Sequence, residues 1–515
     1  MPALAAAGFV PLAAWLRFGI DDAFINFRYA ANLAAGLGPV FNPGERVEGY
    51  TAPAWVLLLA GLHRLGAPLL GTAHVLGIAA GAATVLASGA LAAALAPRLR
   101  VSAGALAALL VALHPGVLFW TASGMETPVF MLLVLLSVAA ARWPAAAGAL
   151  CGLAALTRPE AILFGTGVGA ALAATGGRRA LARFAPGFAG PLAALELFRL
   201  AYYGAPLPNT FYAKVGLQVP HGLWYLWQFV RDGGWVFAPA LLALAGPQRR
   251  TAALWLALVA AYGAWVVAIG GDVFAFHRFL VPVVPLLAVL AARGADALLG
   301  AWPRAATALL LLAAALWAAS LRGTYAYASS AAQGVDAITA TLRPLGLALG
   351  ERAPPGTTVA MLSIGALPFY AGPGIRVIDM MGLADAHVAR AGVRVPDGLP
   401  AHARYDNDYV LARRPELILM APPGAVPACA RPLTAAAVRA DPCGAASWGR
   451  VAIETGLYGR DCPAAPPPAC PYVLPVQIDL ERPDERARFE AAYERVTVLP
   501  KIGPINAYRR RDWLP

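Results

Sequence analysis

Long apolar runs broken by short polar stretches fill the first three fifths of the chain. A helix needs about 20 mostly apolar residues to cross a bilayer, and somewhat fewer inside a bundle. Runs of this kind lie at Pro2–Gly19, Thr72–Ala96, Ser102–Trp120, Pro128–Ala141, Pro144–Leu156 and Ala161–Thr175. Others follow at Ala185–Tyr203, Trp235–Gly246, Thr251–Ile269, Phe279–Leu299 and Ala305–Leu321, which makes eleven predicted spans. Pro53–Gly66 is also apolar but short, and it carries His63 and Arg64 near its end, so it reads as an interfacial or re-entrant helix. Beyond Arg322 the pattern shortens to β-rich runs at Thr358–Leu362, Ile375–Met380, Leu417–Met420 and Tyr472–Leu480. Helix-compatible segments, proline-rich loops and charged turns separate them. The pattern predicts a mainly α polytopic membrane region over residues 1–321, followed by a small α/β domain over 322–515.

Composition excludes a single soluble globule. Of 515 residues, 59% are hydrophobic and 13% charged, against the roughly 25% charged residues of a soluble protein. The net charge of +12 does not point to nucleic acid, because the basic residues are dispersed between apolar runs. Residues 1–321 carry 19 basic and 10 acidic side chains; residues 322–515 carry 21 and 18, a balance suited to water. Arg98, Arg100, Arg142, Arg178, Arg179, Arg183, Arg249, Arg250, Arg293 and Arg304 fall on one side of the eleven-span arrangement, with Asp296 the one acid among them. The positive-inside rule makes that side cytoplasmic. The expected site is the inner membrane, with the loop after Asp21 and the C-terminal domain facing the periplasm or exterior. The first run meets Asp21 without a small-residue cleavage site and reads as a retained span. Cys429, Cys443, Cys462 and Cys470 are disulfide candidates in that outward domain, with three connectivities open.

The acids collect on the opposite side from the arginines. Asp21, Asp22, Glu45, Glu48, Glu126, Glu160, Asp232 and Asp272 lie at or near external span ends. Ionisable groups at a membrane edge are costly, so such a collection is a candidate site. For each acid alone, an ordinary loop charge is an equal reading. Three cations share that side: Lys214, one of only two lysines, Arg278 and Arg158. They suit an anionic ligand, or they snorkel as interfacial anchors. Glu126 and Glu160 also suit an ion pair with Arg158. Trp55, Trp120 and Trp235 are expected in the interfacial aromatic belt. Asp379 and Asp385 follow a predicted strand, where they cap, stabilise the domain or line the acceptor side.

The stretch from Asp21 to Trp55 is the most specific segment. It has two adjacent acids, then a helix with Phe24, Phe27, Arg28 and Tyr29. It resembles the first external loop of the GT-C membrane glycosyltransferases, whose helices lie along the membrane surface. Further pieces match in order: Ser123–Thr127, Leu156–Glu160, Pro208–Lys214, Gly270–Asp272 with His277–Leu280, and Val377–Asp385. These resemble the subgroup that includes the terminal β-arabinofuranosyltransferases of actinobacterial cell walls. The resemblance implies transfer of a sugar, arabinofuranose being one choice, from a polyprenyl-phosphate donor to a glycan, glycolipid or protein. It implies Asp21 as catalytic acid with Asp22 in support, and Lys214, Arg278 and Arg158 on the donor phosphate. Arg28, Tyr29, Glu48, Tyr50, Glu126, Asp272 and His277 are candidate substrate contacts, with Arg46 a weaker phosphate candidate. Such a reaction needs a proton acceptor and cations for the departing phosphate. No cofactor is required, although Asp21, Asp22 and Asp272 could hold a divalent cation. A lipid or sugar transporter is the alternative, and a non-catalytic receptor a more distant one.

Overall fold

In a computed structural model, the structure describes residues 1–420 except 97, 215, 247, 396–397 and 400–403, and beyond them 431–432, 435–441, 472–473, 483–497 and 506–513. Cys429, Cys443, Cys462 and Cys470 lie outside the described residues, as does most of the predicted strand Tyr472–Leu480.

All eleven predicted spans coincide with helical segments. α1 (Pro2–Trp15) leads into α2 (Asp21–Ala34) and α3 (Pro53–Arg64), and α4 covers Leu69–Leu95. α5 (Arg100–Ala112) and α6 (Pro115–Ala122) share one predicted span. They are bent by 55° at the junction, where Pro115 removes a backbone donor and the His114 ring accepts from the Val117 N–H. α7 (Thr127–Ala139), α8 (Pro144–Thr157) and α9 (Ala161–Tyr202) follow. α9 merges two predicted spans and is interrupted at Gly177, with φ 64° and ψ −161°. Phe184 and Phe188 pack back onto Gly169 and Gly165, so its two halves lie side by side. α10 (Asn209–Lys214), α11 (Val219–Arg231), α12 (Arg249–Ile269), α13 (Val284–Ala301) and α14 (Pro303–Arg352) complete this region, with a 3₁₀ stretch at Gly234–Ala245.

By length and composition, three helical segments among the described residues are sufficient to cross a membrane: Leu69–Leu95, Arg249–Ile269 and Val281–Leu299. The bent α5–α6 pair makes a fourth. The shorter apolar helices pack against them through small residues. A Cβ at Gly89 would come within 2.9 Å of the Gly104 carbonyl, a backbone approach typical of membrane helix pairs. Exposed Leu4, Trp15, Val75, Leu197 and Leu241 give the helices an apolar exterior suited to lipid. The protein is a multi-pass membrane protein.

α14 runs through Leu321 without a break. The change in charge balance read from the sequence therefore falls inside one helix. After it, β1 (Thr358–Met361), β2 (Arg376–Asp379), β3 (Leu417–Met420), β4 (Tyr493–Thr497) and β5 (Asn506–Arg510) form a sheet in the order β2-β1-β3-β5-β4. β1 pairs in parallel with β2 and β3, with Thr358 opposite Arg376 and Val359 opposite Leu417. β3–β5 and β5–β4 are antiparallel. α15 (Ala366–Ala371) connects β1 to β2, as a parallel pair requires a crossover. α16 (Ala386–Ala391) follows β2, capped by Asp385, which accepts from the His387 and Val388 N–H groups.

Candidate active site

A cavity of about 650 Å³, counting its open mouth, lies between the helices and the sheet. Asp21, Asp22, Lys214, Asp272 and Arg278 all line it, drawn from α2, α10 and the loop after α12. Val335 and Ile338 of α14 and Ile364, Met381 and Leu383 of the sheet loops complete a mostly apolar wall, with Ser363 beside them. Five charged residues spread over 258 positions of sequence thus meet in one space, a grouping expected of a functional site rather than of a packed core.

Local rules explain the placement. Ile20, in extended conformation, starts α2, so both acids occupy its first turn, where the helix dipole favours negative charge. The Asp21 carboxylate accepts from the Gly365 N–H at 3.0 Å and the Ala366 N–H at 2.7 Å, at the start of α15. Gly365 is required there, because a Cβ would overlap the Asp21 backbone and carboxyl carbon. Asp22 accepts from Arg278 Nη1 at 3.2 Å and keeps 30% of its side chain exposed. Arg278 Nε also stands 2.6 Å from Asp272 Oδ2. The guanidinium lies against the rings of Phe274 at 4.9 Å, Trp120 at 5.4 Å and Phe279 at 5.5 Å. Trp120 is fully buried and donates to the Phe276 carbonyl, so it backs Arg278 instead of joining a membrane belt; Trp55 is buried as well.

The loop that presents Arg278 is strained. Phe276 and His277 take φ of 59° and 56°, rare for residues with side chains, and Gly270 and Gly271 a few residues earlier are also at positive φ. His277 Nε2 lies 3.2 Å from Asp232 Oδ2, outside the cavity, which anchors the bend. Lys214 differs from Arg278. Its side chain is exposed along the cavity and has no hydrogen bond or ion pair among the described residues. Surrounding protein, then the Arg278 charge, lower its pKa from the ordinary lysine value, against Asp22 and Asp272.

Several sequence candidates serve elsewhere. Arg158 holds Glu126 at 2.9 Å and Glu160 at 2.5 Å, all three buried, which is the ion-pair reading of these residues. Arg28, only 2% exposed, donates to the carbonyls of Phe41, Pro368, Gly372 and Ile375 and so ties α2 to the end of α15. Burial lowers its pKa to about 10, opposed by Tyr29. Tyr29 bridges Val47 and Gly49. Glu48 is bound twice by Arg199, at 2.8 and 3.1 Å, and Tyr50 meets the Tyr203 hydroxyl at 3.2 Å. Sequence reasoning missed Arg199 and Tyr203 as partners, and it missed the Gly365–Ala366 amides altogether, since backbone donors leave no sequence signal beyond the glycine. Among the described residues, no group of three or more His, Cys, Asp or Glu is arranged to hold a metal.

The arrangement of helices and sheet is a GT-C fold of the kind the sequence pieces suggested. Two structures of ArnT from Cupriavidus metallidurans share it, one in the apo state and one bound to undecaprenyl phosphate. Each has a TM-score of 0.51; identities are 16% and 14%, covering 81% and 82% of this chain and 92% of ArnT in both cases. In sequence, the chain is similar to the terminal β-(1→2)-arabinofuranosyltransferase of Mycobacterium tuberculosis, at 37% identity over 48% of this chain and 44% of that protein. It is 30% identical to the Corynebacterium glutamicum protein of the same name, over 56% of this chain and 50% of that one. The chain spans about half the length of these relatives. Residues 330–462 match a family described as Domain of unknown function (DUF8728). The resemblance to GT-C glycosyltransferases and to the arabinofuranosyltransferase subgroup is borne out.

Proposed function

We propose that this protein is a membrane glycosyltransferase that moves a sugar, arabinofuranose by kinship, from a polyprenyl-phosphate donor to a glycan-type acceptor. The observation that supports it most is one cavity lined by two adjacent aspartates, a lysine with no partner among the described residues and an arginine held by carboxylates. In this reading the anomeric carbon–phosphate oxygen bond breaks and a bond from that carbon to the acceptor oxygen forms. The acceptor proton passes to a carboxylate, and the polyprenyl phosphate leaves as an anion. Lys214 binds that phosphate, with Arg278 recruited from its carboxylates as charge develops. Of the two acids, the sequence favours Asp21. The geometry holds each Asp21 oxygen on a backbone amide and leaves one Asp22 oxygen without a hydrogen bond among the described residues, so we assign the proton transfer to Asp22 and orientation of the site to Asp21.

The reading further takes the short apolar helices as spans, eleven in total, in an inner membrane with the cavity and sheet outward. The transporter alternative has no observation in its favour, since the cavity charges gather at the sheet-bearing end. Transfer of radiolabelled sugar from synthetic polyprenyl-phosphate donors tests the proposal. Wild type should consume one donor; Asp22→Asn should abolish transfer, and Asp21→Asn should reduce it. Full activity in both variants would end this assignment.

A further inference from the structure

A second cleft opens beside the first cavity. It encloses about 240 Å³ with its mouth, and Arg46, Glu48, Tyr203, Asn209 and Arg390 are among its lining residues. α10 lies between the two spaces, with Lys214 on the first and Asn209 on the second. Leu383 connects them: it lines the first cavity, and its carbonyl accepts from Asn209 Nδ2 at 3.2 Å. A six-residue helix rises about 9 Å, so one oligosaccharide can reach both.

The lining has uncompensated chemistry. Glu48 is neutralised by Arg199. Arg46 and Arg390 are both exposed and make no ion pair among the described residues. Each guanidinium rests on a ring, Arg46 on Tyr202 at 4.7 Å and Arg390 on Tyr212 at 4.6 Å. Stacking of this kind leaves the N–H edge free to fork onto a carboxylate or phosphate. Asn209 is 3% exposed, and its Oδ1 has no hydrogen-bond partner among the described residues. Its amide nitrogen is meanwhile saturated by the carbonyls of Gly382, Leu383 and Asp385. A buried acceptor without a donor is costly, and a ligand hydroxyl would satisfy it. Arginines stacked on tyrosines for surface packing alone would leave this atom unexplained.

We propose that the cleft is a subsite for an acceptor glycan that carries an anionic group, a carboxylate or a phosphate, beside free hydroxyls; this rests on the glycosyltransferase reading. Arg46 and Arg390 take the anion, and Asn209 Oδ1 accepts from a sugar hydroxyl. Saturation-transfer NMR on the detergent-purified full chain tests it. The probes are a glucuronic-acid trisaccharide, its neutral glucose counterpart and a phosphorylated glucose disaccharide, with inorganic phosphate as competitor. At least one acidic sugar should bind about tenfold more tightly than the neutral one and be displaced by phosphate. Whichever acidic probe binds better identifies the anion. The double variant Arg46→Gln/Arg390→Gln, checked by elution and melting temperature, should lose the preference. Equal binding of neutral and acidic sugars by wild type, or a preference retained in the folded double variant, would overturn the subsite. Because this readout needs no turnover, absent donor consumption would instead count against the glycosyltransferase reading.

Discussion

Lys214 and Asp379 show how single positions carry consequences that differ in kind. Lys214 faces the cavity as a cation with no partner among the described residues, so its removal costs little folding energy and much ligand affinity. A charge-assisted contact is worth about 1.5–3 kcal/mol. Lys214→Met is therefore expected to raise the donor KM by roughly 10- to 100-fold with the melting temperature unchanged. Lys214→Arg should recover part of the loss. Asp379 is a stability matter. It ends β2, is 1% exposed, and accepts from the Met381 and Ala384 N–H groups, so it holds the loop that lines the cavity. Burial pushes its carboxyl up to about 7, against those amides and with Asp385 adding to the rise. The folded state therefore holds the proton more tightly than the unfolded chain does. Its stabilising share is complete below the unfolded value near 3.8 and is lost as pH rises through about 7, on the order of 4 kcal/mol in all. Melting of wild type minus melting of Asp379→Asn, followed from pH 5 to 8, should show this fall; parallel curves would reject it.

At the scale of elements, the join between α2 and α15 organises the site. Asp21 meets the start of α15, while Arg28, two turns along α2, meets carbonyls at its end. The helix thus receives a carboxylate at its positive end and a guanidinium at its negative end. Gly365→Ala would push Asp21 aside. A displacement of about 1 Å at a reacting group costs about 100-fold in rate, so transfer should fall by that order while the protein stays folded. Arg28→Leu would instead leave four carbonyls without their donor, and should lower stability by at least about 3 kcal/mol in thermal unfolding. The sequence made α2 legible because its acids, aromatics and Arg28 sit in a recognisable order. It also predicted β1, β2 and β3 to within two residues at either end, since β-branched runs between proline-rich turns have few other solutions. What it could not show was the use of each charge. Arg158 and Arg278 look alike as arginines at span ends, yet one is consumed by Glu126 and Glu160 and the other borders the cavity. Only three-dimensional pairing separates them. The extent of α14 was also hidden, because helical propensity continues past the point where the apolar run stops.

At the scale of the molecule, the question is what places the sheet over the cavity: the covalent path through α14, or the contacts made across the join. The contacts are numerous. Asn42 exchanges two hydrogen bonds with the Val377 backbone, at 2.8 and 3.0 Å, alongside a pair between Glu45 and Arg376. Asn209 adds three bonds to the loop after β2, and Thr339 of α14 donates to the Gly19 carbonyl. Once a tether exists, its effective concentration falls only slowly with length, so such contacts suffice to hold the sheet in place. A ten-residue Gly/Ser linker inserted between Ala353, the first residue beyond α14, and Pro354 should then leave transfer within about threefold of wild type. The same linker combined with Asn42→Ala and Arg28→Leu should abolish it, because the tether remains and the register is lost. If the linker alone abolished transfer while melting stayed cooperative, α14 would be the element that aims the sheet, and the hydrogen bonds across the join would only follow its direction.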